Sequence, residues 1–298
     1  MTTLRHLTPL DPLYPSRLRS LPAPPATLSV RGGSLEAARA VAIVGSRDAH
    51  PEAAKYAAEL SGALARAGAV VVSGGAVGID AAAHNGALLA GGRTWVVAGT
   101  GHERCFPPGH KELFETIGRG PGAMVWPFAP DYQQRGGFPA RNRVLAALAD
   151  AVVVVQAGLP SGALGAAACA RALMRPLWVV PAPPWLGEPF LGSHLLLEKG
   201  ARPLTSTEVL LASLGLAPTP PPPAGPSAAE LPIVTRPLSE SESVVLASTS
   251  GVPLHLDEIA ARAQSPAAAV AVALLTLALE NVVVEGPPGF FRRRDALK

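Results

Sequence analysis

The stretch VAIVGSRDAHPEAAKYAAELSGALARAGAVVVSGGAVGID, residues 41–80, decides the fold of this chain. It holds two short apolar runs, Val41–Val44 and Ala69–Ser73, which are typical of buried strands. Between them lies an Ala-rich amphipathic stretch, 51–67, that begins at Pro51, and proline is favoured at the first position of a helix. A second helical pattern follows, so the stretch predicts the order strand, helix, strand, helix of a parallel sheet.

The same alternation continues to about residue 200. Further strands are predicted at Thr94–Ala98, Met124–Phe128, Ala151–Gln156 and Leu177–Val180. Further helices are predicted at 109–118, 139–148, 161–174 and 193–199. Short apolar strands that alternate with helices form a parallel sheet that is covered on both faces. We therefore predict an α/β fold, an extended Rossmann-like, doubly wound and mostly parallel sheet, over residues 38–216.

The two ends of the chain have a different composition. Residues 1–37 hold several prolines and little periodicity, which predicts an extended lead-in, a reduced N-terminal domain. Residues 217–237 hold eight prolines and favour a semi-rigid, extended linker. Residues 238–298 hold three helical patterns and two short strand patterns suited to a hairpin, so we predict a small winged-helix-like module. Its third helix has no Arg, Lys, Asn or Gln, so we expect no sequence-specific reading of a major groove.

Composition and charge narrow the class of protein. The 298 residues are 48% hydrophobic and 16% charged, with no apolar run long enough to span a bilayer. No secretory signal is visible, so we expect a cytoplasmic protein without a membrane partner. Two cysteines, Cys105 and Cys169, are too few for a disulfide framework or a zinc site, and we predict no metal and no cofactor. Residues 1–217 carry 19 basic and 14 acidic residues, so a phosphate-binding surface is expected there.

The first candidate loop follows the first strand directly. Gly45 lets the backbone approach a ligand, Ser46 offers a hydroxyl, and Arg47 offers a planar guanidinium that fits a phosphate or stacks on a base. The start of the next helix also favours an anion. A tight turn with a solvated arginine explains the same three residues.

The second candidate loop, SGGAVGID, follows the next strand. Its glycines predict a cradle of backbone N–H groups for phosphate, although the pattern is neither the dinucleotide fingerprint nor a Walker A loop. The candidate binding residues are Ser73, Gly74, Gly75 and Gly78. Asp80 and His84 lie four residues apart on one helix face, as an acid–base or metal pair does. We favour a structural interpretation of that pair, a first-turn aspartate hydrogen-bonded to a packed histidine.

Two further clusters lie at later helix starts. Basic residues interleaved with an aromatic ring suit single-stranded nucleic acid, where phosphates need charge and bases need a stacking surface. The candidates are Arg135, Phe138, Arg141, Asn142 and Arg143, and after the next strand Ser161 and Gly162. The alternative for the first cluster is an arginine-capped helix with Phe138 in the core. The alternative for Ser161 and Gly162 is close helix–sheet packing. We expect one of the arginines at 141 and 143 to point inward and brace the loops.

Taken together, these loops resemble a known family. The stretches VAIVGSR, SGGAVGIDAAAHNGAL, FPARNRVLAALADAVVVVQAGLPSGALGAAACA and LGSHLLLEKGA are similar, in order, to the motifs of the DNA-processing protein A (DprA/Smf) family over about residues 13–215. The resemblance implies binding of single-stranded DNA and its delivery to the RecA recombinase in natural transformation and DNA recombination, without catalysis. It also implies a homodimer formed through the Rossmann domain, for which 185–215 is the candidate surface.

The chain departs from the family pattern at several polar positions. Val77, Gln156, Ala163 and Gly165 stand where many relatives have arginine, glutamate, serine and threonine, and the usual serine–glutamate pair is replaced around Trp126. These departures count against a polar, nucleotide-like second site. An enzyme similar to nucleotide phosphoribohydrolases is the alternative function, but the threonine and glutamate of their PGGxGTxxE pattern are absent. A pure interaction scaffold with a vestigial pocket is a third possible function. The retained arginines Arg47, Arg135 and Arg143 argue against it.

Overall fold

A nine-stranded sheet organises the first of two units in the computed structural model, which divides into Met1–Pro221 and Pro222–Lys298. The structure describes residues 3–134, 136–219, 238–252, 254–279, 282–285 and 289–293. Most of the linker predicted at 217–237, together with Arg135, lies outside the described residues. Among the described residues no single helix is long and apolar enough to cross a membrane, although Leu256–Ala263 and Ala267–Ala278, bent by 107°, pass the same test as a pair.

The strands and helices of the first unit alternate as predicted. Its strands are β1 Arg5–Leu7, β2 Leu28–Gly32, β3 Ala40–Gly45, β4 Val70–Ser73, β5 Thr94–Val97, β6 Ala123–Trp126, β7 Ala151–Gln156, β8 Leu177–Val179 and β9 Arg202–Pro203. Its α-helices are α1 Ser16–Arg19, α2 Pro51–Arg66, α3 Ile79–Leu89, α4 Lys111–Arg119, α5 Gly137–Leu148, α6 Gly162–Ala172, α7 Leu191–Glu198 and α8 Thr207–Ser213. Single 3-10 turns occupy Pro108–His110, Pro184–Leu186 and Glu188–Phe190.

The strand order shows where a ligand crevice lies. The sheet runs β1-β2-β6-β5-β4-β3-β7-β8-β9, and every neighbouring pair from β6 to β9 is parallel. The chain therefore builds outward from β3 to β6, then returns to the other side of β3 and builds outward again. Ligands of such sheets bind beyond the carboxyl ends of the strands at this switch point, here between β3 and β7. The predicted doubly wound, mostly parallel sheet is confirmed.

The central strands are buried on both faces. In β3, Ala42 and Val44 pack into one hydrophobic core with Leu145 of α5, whereas Val41 and Ile43 pack into a second core with α2 and α3. This burial explains why the strands have continuous apolar runs rather than alternating ones. Helices on both faces hold the loops at the carboxyl ends in fixed positions.

The predicted lead-in contributes to the sheet instead of preceding it. β1 and β2 both lie within residues 1–37, and β2 pairs antiparallel with β6, with Val30 opposite Val125. Arg17 ties this segment to the domain through a 3.0 Å ion pair with Asp150. Short strands of three and five residues between prolines leave little periodicity, so their pairing is not visible in the sequence.

The second unit holds three helices and a small antiparallel sheet in its described residues. The helices are α9 Glu240–Ser248, α10 Leu256–Ala263 and α11 Ala267–Leu279, and the strands are β10 Leu254–His255, β11 Val283–Glu285 and β12 Phe290–Arg293. The predicted pairing of the last two strands is confirmed, and β10, which was not predicted, adds to β12. The winged-helix assignment of this unit stays a prediction.

Candidate nucleic-acid interface

The loop after β3 forms a tight turn that leaves its arginine outside. The Ser46 N–H donates to the Gln156 carbonyl at 2.8 Å, and the Ser46 hydroxyl donates to the Asp48 carbonyl at 2.8 Å. A Cβ on Gly45 would meet Ile79 Cγ1 at 2.6 Å, so this position accepts only glycine without a shift of α3. Gly45 and Ser46 therefore shape the turn, and the exposed Arg47 side chain is the group that reaches solvent.

Arg47 lies beside two aromatic rings. Its guanidinium carbon is 5.3 Å from the centroid of the Phe138 ring, and the Phe106 ring packs on Phe138 at 5.2 Å between centroids. Phe138 is half-buried and Phe106 is 42% exposed. We call Arg47, Phe138 and Phe106 the cation–aromatic platform. It offers a charge for a phosphate next to a stacking surface for a base.

Phe106 is a platform residue that sequence reasoning missed. It lies in a loop after β5, thirty-two residues before Phe138 and far from any glycine-rich motif. Only its exposure as a large aromatic side chain would have marked it. Arg135, predicted at this same surface, is outside the described residues.

Gly78 joins the first two loops. Its φ is +79°, and a Cβ there would overlap the carbonyl oxygens of Ser46 and Arg47. The next residue, Ile79, donates its N–H to the Ser46 carbonyl at 3.1 Å. Gly78 stays a predicted binding residue, and in the structure the glycine allows the second loop to pack closely against the first.

The predicted phosphate cradle of the second loop is already filled. The N–H groups of Gly74 and Ala76 donate to Asp80 Oδ2 at 3.1 and 3.3 Å. The buried Ser73 hydroxyl donates to the Ile43 carbonyl at 2.6 Å, and Gly75 is buried with its carbonyl 2.9 Å from His110 Nδ1. This corrects the predicted role of Ser73 and Gly74 as phosphate donors, because the Ser73 hydroxyl and the Gly74 N–H are both used within the protein. Gly75 contributes its carbonyl to the contact with His110.

An ion pair closes the second loop. Arg141 Nη2 lies 3.7 Å from Asp80 Oδ2, and both side chains are buried, at 8% and 6% exposure. The guanidinium lies against Gly74, where a Cβ would overlap it. Burial raises the pKa of the Asp80 carboxyl, and the charge of Arg141 acts against that rise. The expectation that one arginine points inward is confirmed, and it is Arg141.

Asp80 and His84 do not form the pair that their spacing indicated. His84 Nδ1 lies 2.7 Å from the Thr94 hydroxyl, and the ring is fully buried. Burial, together with the nearby charge of Arg141, lowers the pKa of His84 to about 3, so the ring is neutral near pH 7. The predicted structural role of the two residues is confirmed, but the predicted hydrogen bond between them is wrong. His84 bonds to Thr94, and Asp80 bonds to the N–H groups of its own loop.

The remaining candidates join α5 to α6. The buried Asn142 donates from Nδ2 to the Gly162 carbonyl at 3.3 Å. Ser161 caps α6, its hydroxyl accepting from the Ala163 N–H at 3.2 Å. Arg143 is half-buried and forms no ion pair with a described residue. These contacts make Asn142, Ser161 and Gly162 supports of the crevice wall.

Gln156 fills the switch point itself. Its fully buried side chain accepts from the His50 N–H at 2.8 Å and donates to the carbonyls of Asp48 and Pro189 at 3.3 and 3.5 Å. A neutral amide suits this position because it offers both an acceptor and donors. Gln156 was noted in the sequence only as a departure from the family, and its role in closing the crevice follows from the contacts.

The described part of the chain offers no group of three or more His, Cys, Asp or Glu side chains that would hold a metal ion. What it does offer is an exposed arginine and two aromatic rings at the carboxyl edge of a doubly wound sheet. The fold and the platform thus define a Rossmann-like domain with a surface suited to a strand that carries both phosphates and exposed bases.

Comparison with known proteins then assigns the family. A family model described as DNA recombination-mediator protein A matches residues 5–215, and the chain belongs to that family. Protein Smf of Synechocystis is 38% identical over 218 residues, which are 71% of this chain and 54% of that protein. The chain thus spans about half the length of this relative.

Two solved structures share the fold. DNA processing protein A from Streptococcus pneumoniae matches with a TM-score of 0.66 and 34% identity, over 70% of this chain and 74% of that one. DNA processing protein A from Helicobacter pylori matches with a TM-score of 0.63 and 30% identity, over 72% of this chain and 98% of that one. The latter structure is described as showing a single-stranded DNA binding mode.

Proposed function

We propose that this protein binds single-stranded DNA on the cation–aromatic platform and delivers it to the RecA recombinase in DNA recombination and natural transformation. The observation that carries the proposal is the Arg47 guanidinium at 5.3 Å from the Phe138 ring, at the switch-point edge of the sheet. A phosphate on Arg47 leaves the adjacent base within reach of the Phe138 and Phe106 rings. The related Helicobacter pylori protein, described as binding single-stranded DNA, supports this proposal.

The test compares Arg47 with another exposed cation. Arg47 packs on Phe138, whereas Lys55 is exposed on α2 and is not one of the platform residues. Fluorescence anisotropy with labelled oligo-dT measures binding by the wild type, Arg47→Ala and Lys55→Ala. We expect Arg47→Ala to lose on the order of tenfold or more in affinity, because a charged hydrogen bond is removed. Equal affinities of the two variants would remove the platform from the DNA site.

The enzymatic alternative lacks support at the second loop. A nucleotide phosphoribohydrolase needs a free phosphate cradle there, and Asp80 Oδ2 takes the N–H groups of Gly74 and Ala76. We therefore propose a binding protein rather than an enzyme. Release of ribose 5-phosphate from nucleoside monophosphates by the purified protein would contradict this proposal.

Dimerisation through the Rossmann domain is part of the proposal. Within the candidate surface 185–215, Trp185 is 83% exposed, and Leu191, six residues further along the chain, is 43% exposed. Exposed apolar side chains of this size are typical of protein interfaces. Trp185→Glu is expected to shift the mass measured by light scattering from dimer to monomer, and an unchanged mass would exclude this surface.

The second unit is proposed to contact protein rather than DNA. The exposed face of α11 carries Val272 and Leu275, and the described part of the helix has no basic side chain with which to contact a groove. The exposed Arg292 and Arg293 of β12 are read as solvated charges. A fragment of residues 238–298 that binds duplex DNA in the anisotropy assay would contradict this assignment.

A further inference from the structure

A second pocket lies next to the platform, at the carboxyl ends of β5 and β6. Its cavity is about 160 Å³, with apolar walls formed by Ala98, Phe114, Met124 and Trp126. An apolar cavity of about 150 Å³ is large enough to hold one benzene ring. The pocket therefore accepts a single planar ring and excludes a bulky ligand.

A histidine ring completes the wall of the pocket. His102 lines the cavity, and its ring is held in place by packing on Trp126, at 6.2 Å between centroids, and on His6 at 5.4 Å. Its Nε2 is buried and has no hydrogen-bond partner among the described residues. The rings of His102 and Trp126 therefore offer a stacking surface, rather than a hydrogen-bonding group, to a planar base.

Cations line the same pocket. Arg104 and Lys111 are exposed, and neither forms an ion pair with a described residue. Of the two acids in the lining, Glu115 is paired with Arg119 at 2.8 Å, which leaves Glu103. If a ligand places a planar ring in the pocket, an anionic group attached to that ring can bind Arg104 and Lys111.

One loop connects the pocket with the platform. Residues 103–105 line the pocket, and the next residue, Phe106, packs on Phe138. A strand whose base stacks on Phe106 therefore has its neighbouring nucleotides at the pocket mouth. We propose that the pocket holds one base of the bound DNA strand, with the adjoining phosphate on Arg104 and Lys111. This proposal rests on the proposed function and extends its binding surface.

The lining indicates how the pocket selects a ligand. The cavity is mainly apolar, with Met124 and Trp126 in its wall. It selects by ring size and stacking rather than by a hydrogen-bonded phosphate cradle.

The experiment measures affinity for oligo-dT of 4 to 16 nucleotides by anisotropy. The test protein carries Arg104→Ala with Lys111→Ala, and the matched control carries Arg19→Ala with Lys55→Ala, two exposed cations outside the pocket. We expect the test variant to bind long oligomers on the order of tenfold more weakly and short ones as well as the wild type does. His102→Ala, which removes the ring from the pocket wall, is expected to act in the same direction.

The other outcomes overturn the proposal in different ways. If the test variant loses the same affinity at every oligonucleotide length, or loses none at any length, the pocket does not bind the DNA strand. If wild type and Arg47→Ala fail to bind at all lengths, the proposed function falls together with the pocket. Tryptophan fluorescence with free thymidine monophosphate tests whether the pocket binds a free nucleotide instead of a base of the DNA strand. A signal that the test variant loses while its oligomer affinities stay unchanged assigns the pocket to free nucleotides and refutes a role for the DNA strand.

Discussion

The loops after β3 and β4 begin alike and end differently. Each leaves a parallel strand, holds glycine and enters a helix, yet the first exposes Arg47 whereas the second encloses Asp80 and Arg141. The difference arises from one first-turn carboxylate on α3, which takes the N–H groups of Gly74 and Ala76. In the second loop the N–H groups of Gly74 and Ala76 are therefore not free for an external anion. We call the two the open loop and the closed loop.

The largest expected effect breaks the closed loop. Arg141→Met leaves the buried Asp80 carboxylate uncompensated, so the free energy of unfolding should fall by about 3–5 kcal/mol. Urea denaturation followed by circular dichroism measures it. Arg143→Met, which removes a half-buried arginine without an ion pair among the described residues, should change it by less than about 1 kcal/mol.

A second substitution sharpens this result. Adding Asp80→Asn to Arg141→Met removes the lone carboxylate, so the double variant should recover part of the lost stability. If the double variant is less stable than Arg141→Met alone, the N–H bonds to Asp80, and not the ion pair, hold the loop closed.

The next effect concerns pH and the histidine behind the closed loop. The pKa of His84 falls to about 3 in the folded state, so the unfolded chain binds more protons between that value and about 6.5. The contribution to stability is present above pH 6.5 and is lost as the pH falls toward 3. Between pH 7 and pH 5 we expect a loss of about 2 kcal/mol from this residue.

His84→Gln provides the comparison, because glutamine retains a hydrogen-bonding group and does not titrate in this range. Urea unfolding of the wild type and this variant at pH 7 and pH 5 should show a smaller loss for the variant. Parallel losses in the two proteins would mean that another group causes the acid sensitivity.

The open loop should respond in binding and not in stability. Phe138→Leu keeps an apolar side chain but removes the stacking face, so affinity for oligo-dT should fall by about 1–3 kcal/mol. Phe290→Leu changes a comparably exposed ring in the second unit, which packs on His255, and should leave affinity unchanged. Equal affinity of the two variants would show that no base stacks on Phe138.

The smallest effect is a change of slope with salt. Each phosphate neutralised on a single strand contributes about −0.7 to the slope of log affinity against log salt. Arg47→Ala should therefore flatten the slope by about 0.7, whereas Lys55→Ala should leave it unchanged. Anisotropy titrations at four salt concentrations measure this slope. An unaltered slope for Arg47→Ala would mean that its guanidinium contacts bases rather than phosphates.

The sequence predicted the parallel sheet because burial on both faces produces long apolar runs. β3 to β8 and the helices between them were found from such runs, and so was the β11–β12 hairpin. β1, β2 and β9 were missed, since edge strands are short and are specified by pairing with a neighbour rather than by a pattern of their own.

For the candidate site, the sequence identified several of the residues but not the contacts that each side chain makes. Arg47 and Phe138 were identified from charge and aromatic character, and the structure places them 5.3 Å apart. Phe106 was missed, and Ser73 and Gly74 were assigned to phosphate although the Ile43 carbonyl and Asp80 accept their hydrogen bonds. The sequence does not show whether a hydrogen-bond donor is free for a ligand or already bonded within the protein.

The amino-acid sequence was enough to predict strands β3 to β8, the helices between them and the crevice at their carboxyl edge, because periodicity and apolar runs are local properties. It also determined which residue types meet there. The tertiary structure alone decided that Arg141 turns inward to Asp80 and that Arg47 stays outside on Phe138. Which arginine is buried depends on a carboxylate sixty-one residues away in the chain, and only folding brings the two together.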